Sequence, residues 1–223
     1  MSDRIAAAVA AVCAAGLVAV VLVLGAANPP RQAPIATDRL GPDSGELVAD
    51  YLARASASVD PTGTDPRWAL VTFTTEVTAT QAASLVGAAG TDDAAISQLW
   101  FRVPIDRVQT PIVAVGVAGA ESIARAPGYA AAQLYGTTGE WDRQGRIDAV
   151  SAARLGENCA CALAATIRAS QRDLAAVAAV PGVRAVEALP ADAVFGRFAV
   201  RPLLPEQTLA VTPGPDDGEV PER

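Results

Sequence analysis

Cys159 and Cys161, separated only by Ala160, are the residues whose type and spacing most directly suggest chemistry in this chain. In a straight strand, residues i and i+2 lie about 6.5 Å apart at Cα, near the upper limit for a disulfide. A turn over Gly156-Glu157-Asn158-Cys159 would shorten that distance. Three readings follow: a structural disulfide, thiols that stay reduced or pair between molecules, and redox or metal work by a short-loop bond that is easily reduced. Metal binding is the poorest of these, because the chain has 3 Cys, 0 His and no second Cys pair. Lys is also absent, so all 17 basic side chains are Arg. Without His or Lys there is no imidazole base, no Ser-His or Cys-His pair, no Schiff-base amine and no Walker-type phosphate loop. No catalytic residue stands out, and no cofactor or metal is expected. Glu140, Asp142, Asp148 and Glu157 have no spacing that selects a hydrolytic pair, and they read as solvated surface. The net charge of −7 argues against a nucleic-acid partner.

A second candidate is a contact surface. Over Ala95 to Ile105 the alternation puts Ser97, Leu99, Phe101, Val103 and Ile105 on one face, and Ile96, Gln98, Trp100 and Arg102 on the other. An uncovered Trp100 flanked by Arg102, with Ile96 beside it, is the composition of an interaction surface. The bland alternative is that the insertion or the C-terminal segment covers it.

The elements that must position these residues form two similar units. Trp68 to Thr74 reads as a strand. Thr78 and Gln81 have capping-box spacing for a helix that turns Ala82, Leu85, Val86 and Ala89 inward, and Gly90 closes it before the Ala95 strand. Later, Cys161 to Arg168 reads as a strand, Ser170 and Asp173 cap a helix through Leu174 and Val177, and Pro181-Gly182 leads into the strand Val183 to Leu189. Two β-α-β units in one sheet predict an α+β, ferredoxin-like sandwich with helices on one face and the other face open. Asp106 to Asn158 is a long insertion between them, with a strand near Thr110 to Val117, helical patches split at Pro127-Gly128, and a helix from about Asp142 to Leu155. Asp43 and Glu46 have the spacing to cap an earlier helix with Leu47, Val48, Tyr51, Leu52 and Ala55 on one face. Val194 to Val200 reads as an edge strand, and the acidic, Pro- and Gly-rich residues Thr212 to Arg223 as disordered.

No charge interrupts residues 5–27, which are long enough to span a bilayer, and Asn28-Pro29-Pro30 ends the run. This predicts a single-pass transmembrane anchor with the N-terminus cytoplasmic and the domain outside, a cleaved signal peptide being the alternative. The layout is an anchor over 1–27, a tether over 28–42, an extracytoplasmic domain over 43–200 with its insertion at about 106–158, and a tail over 201–223. Ala7, Ala11, Ala15 and Ala19 form a small-residue row that offers a homodimer contact between such helices.

Residues 161–189 resemble the second half of subtilisin propeptide-like inhibitor domains, through Leu174, Pro181-Gly182-Val183 and Val186-Glu187. That resemblance implies a ferredoxin-like half-domain and protease inhibition. The Ala-Val-Arg usage, the lack of Lys and the anchor-tether-domain layout resemble single-pass cell-envelope proteins of high-GC actinobacteria, which implies a location and no activity. The function expected from the sequence is therefore a membrane-anchored interaction or regulatory module that binds a protein partner in the envelope through its open sheet face or an edge strand. A thiol-dependent envelope protein using Cys159 and Cys161 is the first alternative, and a subtilisin-type protease inhibitor the second.

Overall fold

The computed structural model describes residues 13–20, 38–90, 94–135 and 142–222. The chain divides into two compact units, Met1–Ile35 and Ala36–Arg223. The expected membrane span over 5–27 is corrected: among the described residues no helix is long and apolar enough to cross a membrane. Residues 13–20 are helical and exposed. The signal anchor, the envelope location and the inside-outside orientation rested on that span and fall with it. Ala7, Ala11 and the tether before Asp38 lie outside the described residues, whereas Ala15 and Ala19 are helical and exposed.

The second unit is α+β. Its elements in chain order are β1 (Arg39–Leu40), α1 (Val48–Ala57), β2 (Pro66–Val77), α2 (Ala79–Gly87), β3 (Ala95–Phe101), β4 (Val113–Gly116), α3 (Gly119–Tyr135), α4 (Arg143–Gly156), β5 (Ala162–Ser170), α5 (Gln171–Ala178), β6 (Val183–Ala188) and β7 (Ala199–Val200). Five strands make an antiparallel sheet in the order β4-β3-β5-β2-β6, and β1 and β7 pair separately and in parallel. The β2-α2-β3 and β5-α5-β6 units interleave, so β5 lies between β3 and β2.

Local chemistry sets several of these boundaries. Thr78 and Gln81 complete a reciprocal capping box at the start of α2. Ser170 Oγ accepts the Asp173 N–H at 3.2 Å and starts α5. Asp142 caps α4 through the Gly145 N–H at 2.8 Å. Asp43 and Glu46 do not cap α1, which has Leu47 at its N-cap and no side-chain cap. Instead Glu46 accepts the Asp43 N–H at 2.7 Å and also binds Arg54. The break expected at Pro127-Gly128 is absent, and α3 runs through with Pro127 buried. Ile123, Ala126, Ala130, Ala131 and Leu134 pack into the core on both sides of that proline, which offsets the cost of about 3 kcal/mol of a proline inside a helix.

One sheet face carries the main core. Ala69, Val71, Phe73, Leu99, Phe101, Val115, Ala165, Ile167 and Val186 meet side chains from α2, α3, α4 and α5. The insertion therefore adds one edge strand and two helices to this core. The other face was expected to be open, and here the ferredoxin-like sandwich with helices on one face only is corrected. The sheet has five strands instead of four, and Leu40, Leu189, Ala193, Phe198, Val200 and Leu204 pack across Leu70, Leu163 and Ala164 on the second face. A further cluster joins Val48, Tyr51 and Ala55 of α1 to Ala185, Leu203 and Val211. The physical reason is that the second face of β2 and β5 is itself apolar at Leu70, Leu163 and Ala164 and must be shielded from water. The expected strand at Val194–Val200 contracts to β7, which pairs with β1 and not with the main sheet.

The two segments over this second face, an N-terminal strap around β1 and a C-terminal strap from β7 through Val211, run side by side in parallel, and Gly41 meets Arg201 there. Gly41 has φ 100°, and a Cβ there would lie 1.7 Å from the Arg201 carbonyl oxygen. Gly41→Ala therefore adds both a left-handed-region penalty and a backbone clash. It is expected to lower unfolding stability by about 3 kcal/mol, read from the denaturant midpoint, whereas Gly45→Ala, with a φ of 81° and open space around it, lowers it by about 1 kcal/mol.

Candidate interaction surfaces

The proposed patch at Ile96, Trp100 and Arg102 does not form as one surface. A register shift lies between Ile96 and Gln98, so Ile96 pairs with Ile167 and packs against the helix-side core. Trp100 lies on the strapped face, half-buried against the cluster that holds Leu70, Leu163 and Ala164, and its Nε1–H donates to Thr166 Oγ1 at 2.9 Å. The Arg102 side chain is only 11% exposed and is paired with Glu206 of the C-terminal segment at 2.5 Å. The C-terminal strap thus supplies the cover that the alternation of β3 alone cannot reveal.

Cys159 and Cys161 are joined by a disulfide, with their Cα atoms 5.3 Å apart. The end of α4 creates this geometry. Asn158 is left-handed at φ 58°, its N–H donates to the Leu155 carbonyl at 3.0 Å, and the Cys159 N–H donates to the Arg154 carbonyl at 3.2 Å. This pair of bonds is a Schellman closure, with Asn taking the glycine position. The Cys161 carbonyl accepts the Arg102 N–H at 2.8 Å, and Cys161 is buried in the main core. The disulfide closes the α4–β5 turn on itself, the backbone hydrogen bond ties that turn to the residue after β3, and burial of Cys161 hinders attack by an external thiol. Cys13 is a free, exposed cysteine. Among the described residues no cluster of His, Cys, Asp or Glu could hold a metal ion.

Two arrangements were not anticipated from the sequence. The first is a buried carboxylate. Glu187 lies on the second face of β6, 5% exposed, where Oε2 accepts the Gly41 N–H at 2.5 Å and Oε1 is bound by Arg54. Arg54 also binds Glu46 at 3.1 Å. Burial pushes the Glu187 pKa above the ordinary carboxylate range, although Gly41 and Arg54 pull against it. The Tyr51 hydroxyl is raised as well, first by burial and then by the neighbouring Glu187 charge.

The second is an aromatic rim at one end of the strapped face. Trp68 and Phe195 have ring centroids 4.7 Å apart, and Phe198 lies 6.3 Å from Trp68 and 6.2 Å from Phe195. The Arg168 guanidinium lies over the Trp68 ring at 5.6 Å. Phe195 is 42% exposed and its neighbour Val194 51%. One sequence signal could have found this rim: two of only 4 Phe in the chain stand three residues apart in a loop that the strand assignment absorbed. Asp148, one of the carboxylates read as solvated, is buried on α4 and accepts Gln144 at 2.7 Å.

No family model, curated protein or solved structure matches this chain.

Two outcomes are expected. Because the folded pKa of Glu187 is raised, the native state binds more protons than the unfolded chain between about pH 4.3 and that raised value, so this group's contribution to stability is lost as pH rises through the window. Unfolding free energies of wild type minus Glu187→Gln should therefore decrease with rising pH there, and a flat or rising difference would contradict the burial argument. The Cys159→Ala/Cys161→Ala double variant should lose about 1.5 kcal/mol, the chain-entropy value for so short a loop, with the bond itself surviving a glutathione buffer as read by thiol labelling.

Proposed function

We propose that this protein is a non-catalytic interaction module that binds a protein partner through the aromatic rim of its strapped sheet face. The single observation that carries this reading is the partly exposed stack of Trp68, Phe195 and Phe198, with Arg168 over Trp68 and Val194 beside it. Aromatic rings and Arg dominate the energetically important centres of protein interfaces, where they bury large area at low conformational cost. Phe195 leaves much of its ring in water on an already ordered platform, so a partner that covers it gains burial without ordering a loop. The composition agrees, because a chain without His or Lys lacks the usual proton-transfer and Schiff-base groups.

The test is crosslinking of the full-length protein in its native cells with mass-spectrometric identification, comparing wild type with Phe195→Ser and Val194→Ser. At least one specific partner should drop tenfold or more in both variants, while their melting temperatures stay within about 4 °C of wild type. An identical partner set from all three proteins would exclude the rim as the contact surface.

A further inference from the structure

The acidic tail, expected to be disordered, is docked. Arg143 of α4 donates to the Gly218 carbonyl at 2.9 Å and to Asp216 Oδ1 and the Asp216 carbonyl at 3.1 Å. Arg107 binds Asp217 Oδ2 at 2.5 Å. Gln109 reads the backbone and side chain together: its N–H donates to Asp216 Oδ1 at 3.1 Å and its amide to the Gly214 carbonyl at 2.7 Å. The Gly218 N–H donates to the Arg107 carbonyl at 2.8 Å. Gly218 has no room for a side chain, since a Cβ would lie 2.3 Å from the Asp106 carbonyl oxygen and 2.8 Å from that of Arg107. The receiving loop is preformed. Arg107 is held at φ 53°, Ile105 and Val108 bridge across it, and Thr110 Oγ1 donates to the Val103 carbonyl at 2.6 Å.

Three clefts abut the tail: about 680 Å³ along the 104–112 loop, about 360 Å³ beside Arg154, and about 310 Å³ at the start of α4. The tail is a shared wall of all three. Its ion pairs are solvent-accessible and screened by salt, so the segment is held by the sum of its polar contacts and not by burial. Such a segment is released at small cost and rebinds because its tether keeps it at high effective concentration.

We propose that Arg107, Gln109 and Arg143 form a peptide-binding groove for an acidic Asp-Asp-Gly segment of a partner protein, and that residues 214–219 occupy it in cis as a displaceable competitor. Two guanidinium groups select the paired carboxylates, and the wall at the Asp106 and Arg107 carbonyls selects the glycine that follows them. This groove is separate from the aromatic rim and does not rest on it, so either assignment can fail alone.

The probe is a fluorescent peptide with the sequence of residues 212–220, titrated by anisotropy against the full-length protein. Full-length Gly218→Ala, whose own tail is excluded from the groove, should bind it at least tenfold more tightly than wild type, with affinity falling as salt rises. The same peptide carrying Ala at the position of Gly218 should not bind. Full-length Asp216→Asn/Asp217→Asn, which frees the groove without backbone strain, is the second variant and should behave as Gly218→Ala does. Arg143→Gln introduced into that variant should abolish peptide binding. Failure of the peptide to bind either freed protein would show that the groove does not read this segment. Equal binding to wild type and both variants would show that the tail does not compete.

Discussion

The strapped face depends on one buried carboxylate. Glu187 stands on a strand whose neighbours on that face are largely apolar, and a lone ionised group there would cost several kcal/mol. Its two oxygens are answered from two different parts of the chain, by the Gly41 N–H of the N-terminal strap and by Arg54 of α1. The same Arg54 donates to the Gly41 carbonyl at 3.3 Å and reaches Glu46. The charge therefore fixes where α1 and the β1 strap lie over β6. Arg184, on the same strand, holds the C-terminal strap through the Leu204 carbonyl at 2.9 Å and the Pro205 carbonyl at 3.3 Å. Polar groups on the sheet thus specify the position of a cover that apolar burial alone would leave free to slide.

Elements with agreeing local rules were legible in the sequence. The Thr78–Gln81 and Ser170–Asp173 spacings start their helices, and the apolar runs that precede them are strands. Elements governed by distant partners were not. β1 and β7 contribute two residues each, too few to carry a pattern, and exist only because they pair with one another. Helix α3 overrides its proline because the core flanks it on both sides, which a local propensity cannot weigh.

The candidate surfaces divide in the same way. The close spacing of Cys159 and Cys161 drew attention to the site of the staple, and Asn158 supplies the turn that brings the two sulfurs together. Alternation along β3 groups Trp100 with Arg102 on one face but could not show Thr166 or Glu206 waiting for them. It misplaced Ile96 because a one-residue slip reverses the face of every residue beyond it. The tail looked disordered because its composition lacks apolar residues, yet Arg107, Arg143 and a side-chain-free Gly218 hold it by polar contacts that composition does not register.

The pairing of Arg39–Leu40 with Ala199–Val200 has a temporal consequence. On the ribosome the helix-side core can close as soon as β6 has emerged, because every strand of the main sheet is then available. The N-terminal strap can reach Glu187 at that stage, but its strand β1 has no strand to pair with until Ala199 and Val200 have been made. Until Ala193, Phe198, Val200 and Leu204 have followed, the cover over Leu70, Leu163 and Ala164 lacks its C-terminal half, so the nascent domain presents a half-finished sheet face. A chaperone that holds this intermediate would meet a surface that the mature protein never displays.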